Sequence, residues 1–188
     1  MQSFPIDTHF SKYNAHAHHS LTVKDFAQSI NNYDGAKVLV SVPSSRILNM
    51  MLGHTKLLSQ LKDMGYDVMH ITSKFGAYVN QTKVNRTTFF NTLKEWGCQT
   101  ARKFIIFHYS ILSEGINVSG LSHTLLLRNL NIVEMAQTIG RVIRLHKEDQ
   151  QNIFSGLIPC GEYSLYRKSS GNCVIPTHKN YGTKTINR

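Results

Sequence analysis

The chain has 188 residues, 41% hydrophobic and 17% charged, which suits one globular domain with a substantial core and excludes a disordered chain. Its formal net charge of +10 points to a polyanionic partner, nucleic acid ahead of an anionic membrane surface, although simple solubility gives the same excess. No apolar run nears the roughly 18 residues of a membrane span, the start lacks the features of a signal peptide, and Cys98, Cys160 and Cys173 form no CxxC, so no membrane partner, zinc site or disulfide framework is expected and a reducing, cytoplasmic setting (host cytoplasm for a viral source) fits.

Residues 1–21 are polar and carry His9, His16, His18 and His19 without a Cys or carboxylate at ligand spacing. They read as a flexible lead-in, with metal expected neither here nor elsewhere. Leu21 to Ile30 has Val23, Phe26, Ala27 and Ile30 on one helix face, and residues 31–35 make a turn. Lys37 to Val42 is a continuous apolar, β-branched run, the pattern of a strand covered on both faces. Pro43 ends it and Ser44 or Ser45 caps a helix over 46–64, with Ile47, Met51, Leu58 and Leu61 inward and Gly65 as its stop. Tyr66 to Thr72 is a second strand, and 73–81, with Gly76, a loop. A helix over 83–96 buries Val84, Phe90 and Leu93 and stops at Gly97. Phe104 to Phe107 is a third strand, His108 to Gly120 a polar loop, and Thr124 to Leu127 a fourth strand. Alternating strands and helices imply a parallel sheet with helices on both faces, whose ligand lies beyond the carboxyl ends of the strands. The loops 43–46, 73–76, 109–120 and 129–131 would emerge there.

The most informative stretch is Gln137 to Arg144, Gln-Thr-Ile-Gly-Arg-Val-Ile-Arg. Gln137, Arg141 and Arg144 are four and three residues apart and share a helix face. Ile132, Val133, Ala136, Ile139, Val142 and Ile143 make an apolar side expected to bury against the sheet. Asn131 and Glu134 have the spacing of a capping box. Gly140 costs about 1 kcal/mol in a helix interior, and close approach of a ligand or another backbone would justify it. Two guanidiniums beside an amide and a glycine suit phosphate oxygens; an amphipathic helix with two solvated arginines is the plainer alternative. After Asp149 the pattern weakens. Leu157-Ile-Pro and Val174-Ile-Pro suggest short strands, and 163–188 carries Arg167, Lys168, Lys179, Lys184 and Arg188 without an acid, as a nucleic-acid contact or a solvated end.

In order and spacing these segments resemble the second RecA-like lobe of a superfamily 2 helicase, in the style of phage and restriction-enzyme motors. Lys37–Val42 with Pro43-Ser44-Ser45 is similar to motif IV of that family, residues 109–118 to motif V, and Gln137–Arg144 to its QxxGRxxR motif VI. The resemblance implies a three-layer α/β, RecA-like (P-loop NTPase-type) fold with a mainly parallel sheet over residues 22–150, followed by a basic extension over 151–188. It implies that Arg144 reaches the γ-phosphate of ATP, that Arg141 contacts phosphate beside it, and that Gln137 couples the hydrolytic site to motif V. Gly115, Asn117 and Gly140 would lie by the nucleotide, with the backbone of Ser113 or Glu114 at the junction with nucleic acid. Asn117 replaces the usual Asp and keeps an acceptor for a ribose hydroxyl. Ser44, Ser45, Thr72, Ser73 and Ser110 would offer hydroxyls to the phosphates of a bound strand, with Tyr109 where relatives carry Thr.

The sequence contains no GxxxxGK[ST] and no apolar strand ending in Asp-Glu. The phosphate cradle and the Mg²⁺ anchor would therefore come from a Walker-motif first lobe, in cis or in trans, and the chain alone is expected not to hydrolyse ATP. DNA is favoured over RNA as the track. A stand-alone nucleic-acid-binding module without ATPase activity is the alternative, and an unrelated doubly wound domain, such as a flavodoxin-like regulator, a third reading.

Overall fold

The computed structural model describes residues 35–109, 118–128 and 130–175. One seven-stranded sheet is built from β1 (Lys37–Ser41), β2 (Asp67–Thr72), β3 (Gly76–Val79), β4 (Thr82–Val84), β5 (Phe104–His108), β6 (His123–Leu126) and β7 (Asn172–Val174), in the order β4-β3-β2-β5-β1-β6-β7. The run from β2 through β5, β1 and β6 to β7 is parallel, and β3 and β4 add an antiparallel hairpin at one edge. Five helices accompany it among the described residues: α1 (Ser45–Gly53), α2 (Leu57–Asp63), α3 (Arg86–Cys98), α4 (Ile132–Val142) and α5 (Lys147–Phe154).

The continuous apolar strands have the cover they require. Val38, Val40, Ile105 and Phe107 pack with Leu48 and Met51 of α1 and Leu57 and Leu61 of α2. Their neighbours Leu39, Phe104 and Ile106 point the other way, towards Phe89, Leu93 and Trp96 of α3 and Val142 of α4. Successive side chains of a strand face opposite sides, so each strand feeds both cores. This is the three-layer α/β architecture the sequence implies.

Several boundaries differ from the expectation. The helix predicted over 46–64 is two helices, because the chain breaks at residues 54–56. There the Thr55 hydroxyl donates to the Met51 carbonyl and accepts from the Leu57 amide at 3.1 Å, closing one helix and opening the next. The stretch 73–81 is not all loop, since Gly76–Val79 pairs with β2 and with β4. Asn80 and Gln81, at φ of 45° and 69°, turn this hairpin, and Asn80 fastens it by accepting from the Val68 amide at 2.9 Å and donating to Asp67 at 2.7 Å. Val84 accordingly lies on β4, and α3 starts at Arg86, with the Asn85 side chain accepting from the Thr88 amide at 2.7 Å. Gly97 does not stop that helix; it lies inside it, where a Cβ would sit 3.0 Å from the Ser119 carbonyl oxygen. His108 ends β5 rather than opening a loop. Leu157 forms no strand and is exposed, whereas Val174 does belong to one, so the stretch read as an extension supplies the seventh strand. The helix read at 21–30, the histidines of the lead-in and the tail beyond residue 175 lie outside the described residues.

Candidate functional site

Register brings the strand ends level. Ser41 pairs with both His108 and Leu126, and His108 also pairs with Ile71, so β1, β2, β5 and β6 finish in one row. The loops carrying Ser44, Ser73, Tyr109 and Arg128 therefore leave from one carboxyl edge. Ser44 caps α1, its hydroxyl oxygen accepting from the Ile47 amide at 3.1 Å, and Thr72 Oγ1 accepts from the Phe75 amide at 3.0 Å. Ser45 and Thr72 are buried, while Ser73 is exposed and Ser44 half-buried, so the last two hold the accessible hydroxyls. Tyr109 is half-buried with the Arg128 guanidinium 5.4 Å from its ring centroid. Ser110, Ser113, Glu114, Gly115 and Asn117 lie outside the described residues.

Beneath this edge sits a pair that the sequence reading left unmarked. The Ser41 hydroxyl and His108 Nε2 are 2.8 Å apart, both residues are buried, and His108 Nδ1 has no hydrogen-bond partner among the described residues. Burial, with the charges of Arg128 and then Arg141, pushes the His108 pKa down to about 3, so the ring is neutral at physiological pH. The signal was available: Ser41 interrupts one apolar run and His108 ends another, and register alone makes them neighbours.

Helix α4 begins at the same edge and runs back across the α3 side. Its start is the predicted capping box: Asn131 Oδ1 accepts from the Glu134 amide at 2.8 Å, and Glu134 Oε2 accepts from the Asn131 amide at 3.2 Å. Arg128 adds an ion pair to Glu134 at 2.8 Å. The buried face matches the predicted one only at Val142 and, in part, Ile139. Thr138 and Val142 are buried and Ile139 half-buried, but Ile132, Val133, Ala136 and Ile143 are exposed. Thr138 can be buried because its hydroxyl donates to the Glu134 carbonyl at 2.8 Å and leaves no orphan donor. Gln137 is exposed, Arg141 half-buried one turn further on, and Arg144 exposed just past the C-cap Ile143. Burial, then the charge of Arg144, lowers the Arg141 pKa, which starts high enough for the guanidinium to stay charged. Beyond its chain neighbours and the backbone of its own helix, no described atom lies within 4 Å of where a Gly140 Cβ would be, so close approach of another described backbone does not account for this glycine.

The far end of α4 is fastened from a distance. Lys168 Nζ donates to the Val142 carbonyl and, at 2.6 Å, to the Arg144 carbonyl. The buried Asp149 carboxylate accepts from the backbone amides of Arg167 at 2.8 Å and Lys168 at 3.0 Å. Burial, opposed by Asp149, pushes the Lys168 pKa down to about 8. A Cβ at Gly171 would lie 2.5 Å from the Val142 carbonyl oxygen, so only glycine lets the strand approach this closely. Lys168 and Gly171 lie more than twenty residues beyond α4, in a stretch whose pattern gave no hint of them.

A parallel-centred sheet with helices on both faces, its β1, β2, β5 and β6 loops leaving from one carboxyl edge, is the architecture of a RecA-like α/β domain. Residues 21–146 match the model of the helicase conserved C-terminal domain, and the chain belongs to that family. It is a helicase C-terminal lobe, and nucleic-acid binding goes with that family. No curated protein matches the chain. The matched span ends soon after Arg144, so Asp149, Lys168 and Gly171 lie beyond it. Among the described residues no helix is long and apolar enough to cross a membrane.

Proposed function

We propose that this chain is the second motor lobe of a superfamily 2, ATP-dependent nucleic-acid translocase of the phage and restriction-enzyme style, with DNA as the favoured track. The observation that carries the reading is the convergence of α4 and the carboxyl edge: α4 starts at that edge, the charge of Arg141 acts on His108 at the tip of β5, and Gln137 and Arg144 are solvent-exposed. Forked, permanently charged donors at that position suit a triphosphate. In the described loops that follow β1, β2, β5 and β6, up to the first turn of α4, the only carboxylate is Glu134, and Arg128 and Asn131 occupy it. That set does not fit Mg²⁺, so a Walker-motif first lobe has to grip the metal and the phosphate chain. In this reading Arg144 meets the γ-phosphate, Arg141 an adjacent phosphate oxygen, and Gln137 links the two lobes. Ser44 and Ser73 face the strand being moved.

The reading predicts that the chain alone has no ATPase activity and that a cognate first lobe with single-stranded DNA restores it. Arg144→Ala should then lower turnover by about a thousandfold or more, the usual weight of such an arginine. Turnover that is unchanged in this variant would reject the assignment. The absence of a phosphate cradle from the sequence favours a second reading, a nucleic-acid-binding module without motor activity. It requires salt-sensitive binding of single strands that responds neither to ATP nor to a first lobe.

A further inference from the structure

On the α1–α2 side of the sheet, opposite the face that carries α4, a half-open cleft of about 280 Å³ lies against the β2–β3 hairpin. Its lining includes Leu52 of α1, His70 of β2, Phe75, Tyr78 of β3, Asn49 and Gln81. The His70 and Tyr78 rings are face-stacked, with centroids 4.6 Å apart and planes 11° from parallel. Register places His70 opposite Tyr78 and Tyr78 opposite Lys83, so an imidazole, a phenol and an exposed ammonium form one row on one face. A second ammonium, Lys74 Nζ, stands 5.5 Å from the Phe75 ring centroid. No carboxylate lines the cleft among the described residues.

This chemistry selects its ligand by shape and charge. The cleft lies just under the usual range of about 300–1,000 Å³ for sites that engulf a drug-sized molecule, so it suits a single ring system. Aromatic walls select a flat body with π-faces, which every base has. Asn49 and Gln81 each offer an amide donor and an acceptor for the edge of such a ring. Lys74 and Lys83 favour a phosphate attached to it. Burial holds the His70 pKa at about 4, so the stack brings no cation of its own. Thr72 ties the cleft to the carboxyl edge, since it lines the cavity and also ends β2.

We infer that this cleft receives one unstacked base of a single-stranded nucleic acid whose backbone follows the carboxyl edge past Ser73. The inference rests on the nucleic-acid reading above and deepens it. A base withdrawn there would hold the strand in register with the lobe, a grip independent of phosphate contacts.

The test uses single-stranded DNA with 2-aminopurine at successive positions, and free 2-aminopurine nucleotide. Wild-type protein should quench the probe at a restricted set of strand positions. Phe75→Ala, which removes a wall, and Leu52→Trp, which fills the cavity, should abolish quenching and weaken binding roughly tenfold or more, with the salt dependence unchanged because no phosphate contact is lost. Tyr78→Phe, which keeps the stack, should behave as wild type. Binding by the wild type with no quenching at any position overturns the cleft and leaves the motor reading standing. Quenching of free nucleotide by a protein that does not bind the strand keeps the cleft and sinks the motor reading. Quenching of neither probe sinks both. The wild-type measurements decide the matter even if a variant fails to fold.

Discussion

The two ends of α4 are held by opposite strategies. Its start is self-sufficient: Asn131, Glu134 and Arg128 lie within a few residues and satisfy one another. Its end, where Arg141 and Arg144 sit, is fixed by Lys168, Asp149 and Gly171 from a later part of the chain. The capping box would form in an isolated helix, but the placement of the arginines needs the seventh strand to be in place. Stability at the first end is therefore local, and geometry at the second is a tertiary property.

Acid should have the largest effect, because it attacks the sheet on which both ends rest. Burial lowers the pKa of His70 and His123 to about 4 and of His108 to about 3. Between those values and the ordinary imidazole value of about 6.5, the unfolded chain binds more protons than the native one. The stability is thus fully present above about pH 6.5 and drains away as pH falls towards 4, by an amount on the order of several kcal/mol. Urea titrations at pH 7 and pH 4.5 measure it, and equal midpoints would show that these imidazoles are not buried in solution.

Asp149→Ala should come next. It strands the amides of Arg167 and Lys168 and should cost about 3 kcal/mol. Hydrogen exchange should show the end of α4 and β7 losing protection while the Glu134 amide keeps its own. Uniform loss along the helix would erase the contrast between the ends. Asn131→Ala should be the mildest, at about 1 kcal/mol. It should fray the first turn and leave the protection of Val142 and Ile143 unchanged; loss at both ends would mean that the helix responds as one unit.

The same contrast governs what the sequence made legible. Local or continuous patterns were readable: the apolar runs of β1, β2, β5 and β6, the capping box, and the parallel direction of the central strands, though not their order. The α1–α2 break was not, because Thr55 makes it with a hydroxyl bonded to backbone in the middle of an apolar periodicity. Nor was the hairpin turn, since Gln81 adopts a positive φ more typical of glycine. The apolar stripe of α4 gave its helical period correctly but its direction only at Val142 and Ile139. What buries is the row of Thr138 and Val142, and Ile132, Val133 and Ile143 are left exposed. Of the proposed site, the helical spacing of Gln137, Arg141 and Arg144 was readable. Lys168 was not, because it acts on carbonyl oxygens and needs no matching side chain in the helix it holds.

The central position of β1 has a further consequence for how the protein is made. Its parallel neighbours β5 and β6 begin 67 and 86 residues after Lys37, so the first strand among the described residues waits for both to be synthesised. Until then its Val-Leu-Val run has two bare edges, and closing such long loops is slow. Nascent chains that end before Leu126 should therefore clump or be degraded, whatever the condition of their helices.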